Sequence, residues 1–307
     1  MWTTGLGWQE VVIGVGDLDR WIDAFGHLGD WTVRHRGMTD AGLAAAWSLP
    51  NDTQPEEAVI GHPAEPDRWI RLIRFHGIEA PPARATAQAW DTGGLFSVLL
   101  HSNDIADVLR RAQNLGWGSF NDIGLMEFEN MTMRNVVLRA PDGCNFGIYE
   151  PQPRGTATIT RPKHRLCPPV TVQQVLRDLG RTRDFFRDTL GWTPWFDGET
   201  RLAINQFGMP DNYAGKVPKK VAIVQAAPGA PGQMELIQWT MFEGRDLSGR
   251  AALPHRGNIA LRWMVPDLAR WSGHGTPARV TLAPFGEVMM LPIMLPEGGR
   301  IELIARA

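Results

Sequence analysis

The chain has 307 residues, 21% of them charged, and a formal net charge of −2, a length that suits about two domains each burying its own core. No basic stripe is present to neutralise phosphates, which argues against a nucleic-acid partner. Two cysteines, Cys144 and Cys167, give neither a disulfide framework nor a zinc spacing, and no apolar run nears membrane-spanning length, so a cytoplasmic chain without a membrane partner is expected.

In chain order, the alternation of apolar residues predicts a strand over 9–15, a helix over 17–28 capped by Asp17, and strands over 31–35, 42–48 and 69–75. The Pro-, Asp- and Glu-rich stretch 50–66 reads as a surface loop. A second unit follows, with a strand over 94–101, a helix from Asp104 ended by Gly116, and strands near 126–128, 132–140 and 146–150. Five prolines between 151 and 169 mark the best boundary in the chain. The third unit has a strand over 170–176, then Asp178, a helix with an aromatic stripe of Phe185 and Phe186, and Gly191 as its stop. Strands at 195–196, 220–226 and 234–239 complete it. A fourth unit has a strand over 258–265, a short helix after Asp267, and strands over 279–282, 287–295 and 301–305. The basic clusters 161–165 and 216–220 read as solvated loops.

These four units are repeats. Asp17 and Asp178 lie 161 positions apart and Asp104 and Asp267 163 apart, while the turns Pro141-Asp142-Gly143 and Pro296-Glu297-Gly298 recur at a spacing of 155. Internal similarity at a fixed spacing is the mark of a duplicated architecture. Each module reads β-α-β-β-β, and the expected division is an N-terminal pair of modules over 1–152, a linker over 153–165 and a C-terminal pair over 166–307.

The duplicated β-α-β-β-β unit, the Phe-Phe-Arg-Asp-Thr-Leu-Gly-Trp helix end and the Pro-Glu-Gly-Gly-Arg-Ile-Glu-Leu final strand resemble the vicinal oxygen chelate superfamily, which includes glyoxalase I, bleomycin-resistance proteins and extradiol dioxygenases. The resemblance implies an α+β fold of four modules paired into two cupped half-barrels. It also implies metal ligands about seven residues before each cap aspartate and on the closing strands. In the second half the closing-strand positions fall on Glu235 and Glu302, whereas the first-strand positions fall on Thr171 and on Ala260, near Asn258, in place of histidines. The first half offers Glu10, Ser97, Arg71 and Gly147 there, with one carboxylate among them. Two carboxylates with weak amide or hydroxyl ligands favour magnesium or manganese over iron or zinc, or no metal at all.

The expected catalytic set is Glu235, Glu302 and Arg262. The two acids, meeting in one chamber, would form a general acid–base pair or a metal site, and Arg262 would clamp an anionic group or else pair with one of the acids. Thr171, Gln173, Asn258, Trp239, Trp263 and His255 are the substrate-binding candidates, with Glu10, Ser97 and His101 facing an N-terminal cup. Thirteen tryptophans against two tyrosines supply flat apolar area for cores or for a stacking wall. The resemblance with these residues points to an isomerase or lyase acting on a small aromatic or apolar oxygenated substrate. A non-catalytic binding protein and a divergent extradiol-type dioxygenase are the alternatives, and a homo-oligomer is compatible with each.

Overall fold

A computed structural model describes residues 6–50, 52–53, 55–128, 131–152, 161–203, 206–209 and 211–307; most of the expected linker, 153–160, lies outside them. Module one contains β1 (Glu10–Gly14), α1 (Leu18–Gly29), β2 (Thr32–Met38), α2 (Ala41–Ala46), β3 (Glu56–Gly61) and β4 (Trp69–Arg74). Module two contains β5 (Leu95–His101), α3 (Ile105–Asn114), β6 (Gly118–Ser119), β7 (Gly124–Phe128), β8 (Met131–Arg139) and β9 (Asn145–Gln152). Module three contains β10 (Pro169–Val175), α4 (Leu179–Phe185) with a π-helical extension Phe186–Leu190, β11 (Thr193–Arg201), β12 (Pro218–Gln225) and β13 (Gln233–Trp239). Module four contains β14 (Gly257–Met264), a 3-10 segment Ala269–His274, β15 (Ala278–Leu282), β16 (Gly286–Met294) and β17 (Arg300–Arg306).

The caps act as the sequence predicts. Side-chain oxygens of Asp17, Asp104 and Asp178 accept from the backbone N–H groups of Arg20, Asp107 and Arg181 at 3.1, 3.0 and 2.9 Å, satisfying donors that no helix turn can reach. Gly116 and Gly191 take the left-handed conformation after α3 and α4, but after α1 it falls to Asp30 rather than Gly29. Gly29 serves close packing instead, since a Cβ there would lie 2.5 Å from that of Leu166.

Two local expectations are corrected. The stretch 42–48 is helical over α2, because Asp40 accepts from Gly42 N–H at 2.8 Å and the run Ala-Gly-Leu-Ala-Ala-Ala favours helix. The acidic stretch 50–66 contains β3, which is paired on both sides and is buried from Glu57 onward. Its Glu57 is matched by an arginine, described below.

Strand order overturns the expected pairing of modules. One sheet runs β15-β16-β17-β14-β1-β4-β3-β2 and joins modules four and one; the other runs β11-β12-β13-β10-β5-β9-β8-β6, with β7 on β8, and joins three and two. The seams are the antiparallel pairs β1–β14 and β5–β10. Each module's first strand leaves an edge that any other first strand can complete, so repeat spacing alone does not say which two will meet.

The sequence halves are nonetheless tied together, across the sheets. Trp21 on α1 packs against Trp117 and Phe146 of module two at 5.6 and 5.9 Å between centroids, and Trp192 of module three packs against Trp263 of module four at 5.2 Å. Arg165, from a cluster read as solvated, bridges Asp30 and Asp107 at 3.2 and 3.0 Å. The two repeated turns form matching staples. Asp142 accepts from Gly16 N–H at 3.0 Å and from the Trp21 indole at 2.9 Å, and pairs with Arg256 at 2.7 Å. Glu297 accepts from the N–H groups of Arg177 and Asp178, both at 2.8 Å. Glu297→Ala is therefore expected to cost about 1–2 kcal/mol and Asp142→Ala about 2–3 kcal/mol, because the latter strands a half-buried arginine and an indole N–H. Urea denaturation checks both values, and wild-type midpoints in both variants would contradict the staples.

Candidate functional site

In the first cup, built by modules one and four, the four central positions carry Glu10, Arg71, Arg262 and Glu302, all fully buried. The seam register sets Glu10 opposite Arg262, and β17 lies beside β14 with Glu302 next to Arg262. Arg71 grips Glu10 through Nε at 2.8 Å and Nη2 at 3.0 Å, and its Nη1 meets Glu57 at 2.7 Å. Arg262 bridges the acids, with Nη1 at 2.5 Å from Glu10 and Nε at 2.7 Å from Glu302. The indoles of Trp69 and Trp47 donate to Glu10 and Glu302, and Val12, Ile73, Ala260, Met264 and Ile304 fill the same face. Burial alone would push the Glu10 carboxyl up, but Arg71 and Arg262 outweigh it and hold it below the usual carboxylate range.

This chamber is closed by its own ions. Guanidinium groups have no lone pair to offer a metal and repel a cation, so the donor set here does not fit the divalent ion that the resemblance implied. Glu302 and Arg262, expected to be catalytic, are paired with each other inside this buried cluster. Glu10 belongs with them rather than with Ser97 and His101.

The second cup, built by modules two and three, holds a cavity of about 530 Å³. Its wall is mainly apolar, with Leu99, Met126, Met133, Val221 and Ile223 beside the half-exposed Trp195. Glu235 on β13 faces it, half-buried, with its Oε2 accepting from the Gln173 amide at 2.9 Å. Desolvation raises the proton affinity of Glu235, against the opposing influence of the Lys219 charge. Lys219, 5% exposed, also lines the cavity and stands over the rings of Phe207 and Trp239 at 5.0 and 5.7 Å; desolvation lowers its pKa. Tyr149 completes the polar floor, its phenol pushed up by burial and by Glu235. His101 lines the wall, its pKa lowered by burial and then by Arg68.

Of the expected binding residues, Thr171 lines the cavity and Gln173 lies behind Glu235, paired in register with buried Ser97. Trp239 backs Lys219. Trp263 lies in the helix-side core against Trp192 and Trp271, and Asn258 and His255 belong to the other sheet's seam and its approach, outside this cavity. The expected meeting of Glu235 and Glu302 does not occur, because β13 and β17 belong to different sheets. They cannot share one ion or one substrate. Ser97, Gly147, Gln173 and Glu235, the central positions of this cup, offer one carboxylate, and among the described residues no group of three or more His, Cys, Asp or Glu could hold a metal. The residues present therefore do not fit a divalent ion here either.

Lys219 was missed because it stood in a basic cluster read as loop. Its strand parity with Val221 and Ile223 was the available signal, since a lysine in an apolar row is either paired or functional. Tyr149 followed the Pro-Asp-Gly turn but carried no motif.

Glu10→Gln is expected to destabilise the protein by about 3–5 kcal/mol at neutral pH, because it leaves two arginines buried without their shared acid. The depressed Glu10 pKa gives stability that is present above the unfolded carboxylate value, about 4.3, and is lost as pH falls through the folded value. The penalty should thus shrink in acid, and a pH-independent penalty in denaturation curves would refute the account. Glu235→Gln should do the opposite. A raised folded pKa means stability falls as pH rises from the unfolded to the folded value, so the variant should melt above wild type at pH 7 and alongside it at pH 4.

No protein-family model matches the sequence, and no curated protein matches it. Solved structures do match over nearly the whole chain. Glyoxalase I from Zea mays superposes with a TM-score of 0.60 at 14% identity, covering 97% of this chain and 92% of that one, and a point mutant of the same maize enzyme gives 0.64 at the same identity and coverage. A putative dioxygenase from Bacillus subtilis superposes with a TM-score of 0.57 at 12% identity, covering 99% of this chain and 86% of that one. The chain therefore shares the fold of these glyoxalase I and putative dioxygenase structures, built here from four modules.

Proposed function

We propose that the second cup is the reaction site of an enzyme that moves a proton on a small, largely apolar, oxygenated substrate, in the manner of an isomerase or lyase. The observation that carries this reading is Glu235, a carboxyl with raised proton affinity on the wall of an apolar cavity. A base poised toward neutral pH can both take and return a proton. The Gln173 amide holds Oε2, which leaves Oε1 to accept a proton from carbon next to a carbonyl and to deliver it to a second carbon. Tyr149, whose phenol keeps its proton, is the available donor to the oxygen that gains charge.

The soft walls of Met126, Met133 and Trp195 also suit a binding protein that sequesters apolar molecules, and Glu235 separates the two readings. Aryl ketones and aldehydes bearing an α-hydrogen, incubated with the protein in D₂O and followed by NMR, should take up deuterium at that carbon. Glu235→Gln should slow the uptake by about 100-fold or more while affinity changes little. The wild-type rate should follow a titration displaced above the ordinary carboxylate range, absent from the variant. Binding without any deuterium uptake would leave the sequestering reading in its place.

A further inference from the structure

We propose that the ligand of the second cup carries a carboxylate on its apolar body, with Lys219 as the group that holds it; this rests on the second cup being the reaction site. Three observations converge on Lys219. It is an ammonium with three donors, nearly sealed from solvent, yet among the described residues its one hydrogen bond is to Gln206 Oε1 at 3.4 Å, an oxygen that also accepts from Ala203 N–H at 3.2 Å. Among the described residues no carboxylate lies within ion-pair distance of it. Behind it are the faces of Phe207 and Trp239, which favour a cation but supply no counter-charge. A buried cation without a partner anion is costly, and the open side of this one is the cavity.

Glu235 acts on Lys219 through its charge but forms no ion pair with it. Glu235 pairs across the ladder with Ile223 and Lys219 with Trp239, so their backbone positions are four residues apart along the sheet, roughly 13 Å at 3.3 Å per residue. A ligand anchored at Lys219 can lay its body along Val221 and Ile223 and present carbon to Glu235. The wall adds Arg68 and Arg201 against Glu127, so cationic groups outnumber permanent anions and favour capture of an anion from solution. Burial depresses the Lys219 pKa, and an arriving anion would restore the ammonium. A single ammonium suits a monoanion, and about 530 Å³ accommodates a bicyclic body.

The test is calorimetry with naphthalene-2-carboxylate and naphthalene-2-carboxamide, which differ in charge and little in shape. Wild type should bind the carboxylate about 30-fold more tightly. Lys219→Gln should reduce that preference to less than about threefold while still binding the amide, which reports an intact fold, and Lys219→Arg should retain most of it. Equal affinities on wild type, or a preference that survives in Lys219→Gln, would overturn the proposal. Should the amide bind and be excluded by the cavity-filling Val221→Trp while no carboxylate preference exists, the anion inference fails and the cavity reading stands. Failure of both probes to bind wild type would remove both.

Discussion

The constraint on which the rest depends is the crosswise joining of first strands, β1 to β14 and β5 to β10. It decides which side chains share a concave face, because residues on one strand face reach only the chamber their own sheet encloses. Glu10, Arg71, Arg262 and Glu302 come from the outermost modules, and Ser97, Tyr149, Gln173, Lys219 and Glu235 from the inner two. Module pairing thereby sorts the polar residues of the chain into one set that balances itself and one that does not.

The two chambers solve the cost of buried charge differently. In the first, three carboxylates and two guanidiniums meet with indole donors and apolar packing around them, so little is left for a ligand to do. Such a cluster need not be more stabilising than a well-packed apolar core, but it is intolerant of losing one member. In the second, Glu235 and Lys219 are desolvated without an ion pair between them, and each is displaced toward its neutral form. A fold tolerates that destabilisation where a ligand completes the electrostatics, which is how reactive sites commonly differ from structural ones.

Much of the architecture was legible in the sequence. Asp caps, glycine stops and Pro-x-Gly turns are local signals with local causes, and Asp17, Asp104 and Asp178 cap where the residue types require. The misread segments were those in which tertiary partners override local appearance: Glu57 is acidic but sits in a buried strand because Arg71 meets it, and Lys219 is basic but lies under a cavity wall. Glu235 was legible from its place on a closing strand. Glu302 occupies the matching place in its own module and has a different fate, because Arg262 stands beside it while Gln173 stands beside Glu235. Which modules pair is a long-range property that repeat spacing does not encode, so the shared chamber expected for the two acids was out of reach of sequence reasoning.

The two chambers contain different methionines, which allows their occupancy to be read separately. Met126 and Met133 line the second cup, while Met264 and Met290 are packed within the first. Methyl-labelled methionine NMR during titration with acetophenone tests the assignment of the site most directly. The account predicts saturable shifts at Met126 and Met133 with Met264 and Met290 unmoved; shifts confined to Met264 and Met290 would contradict it.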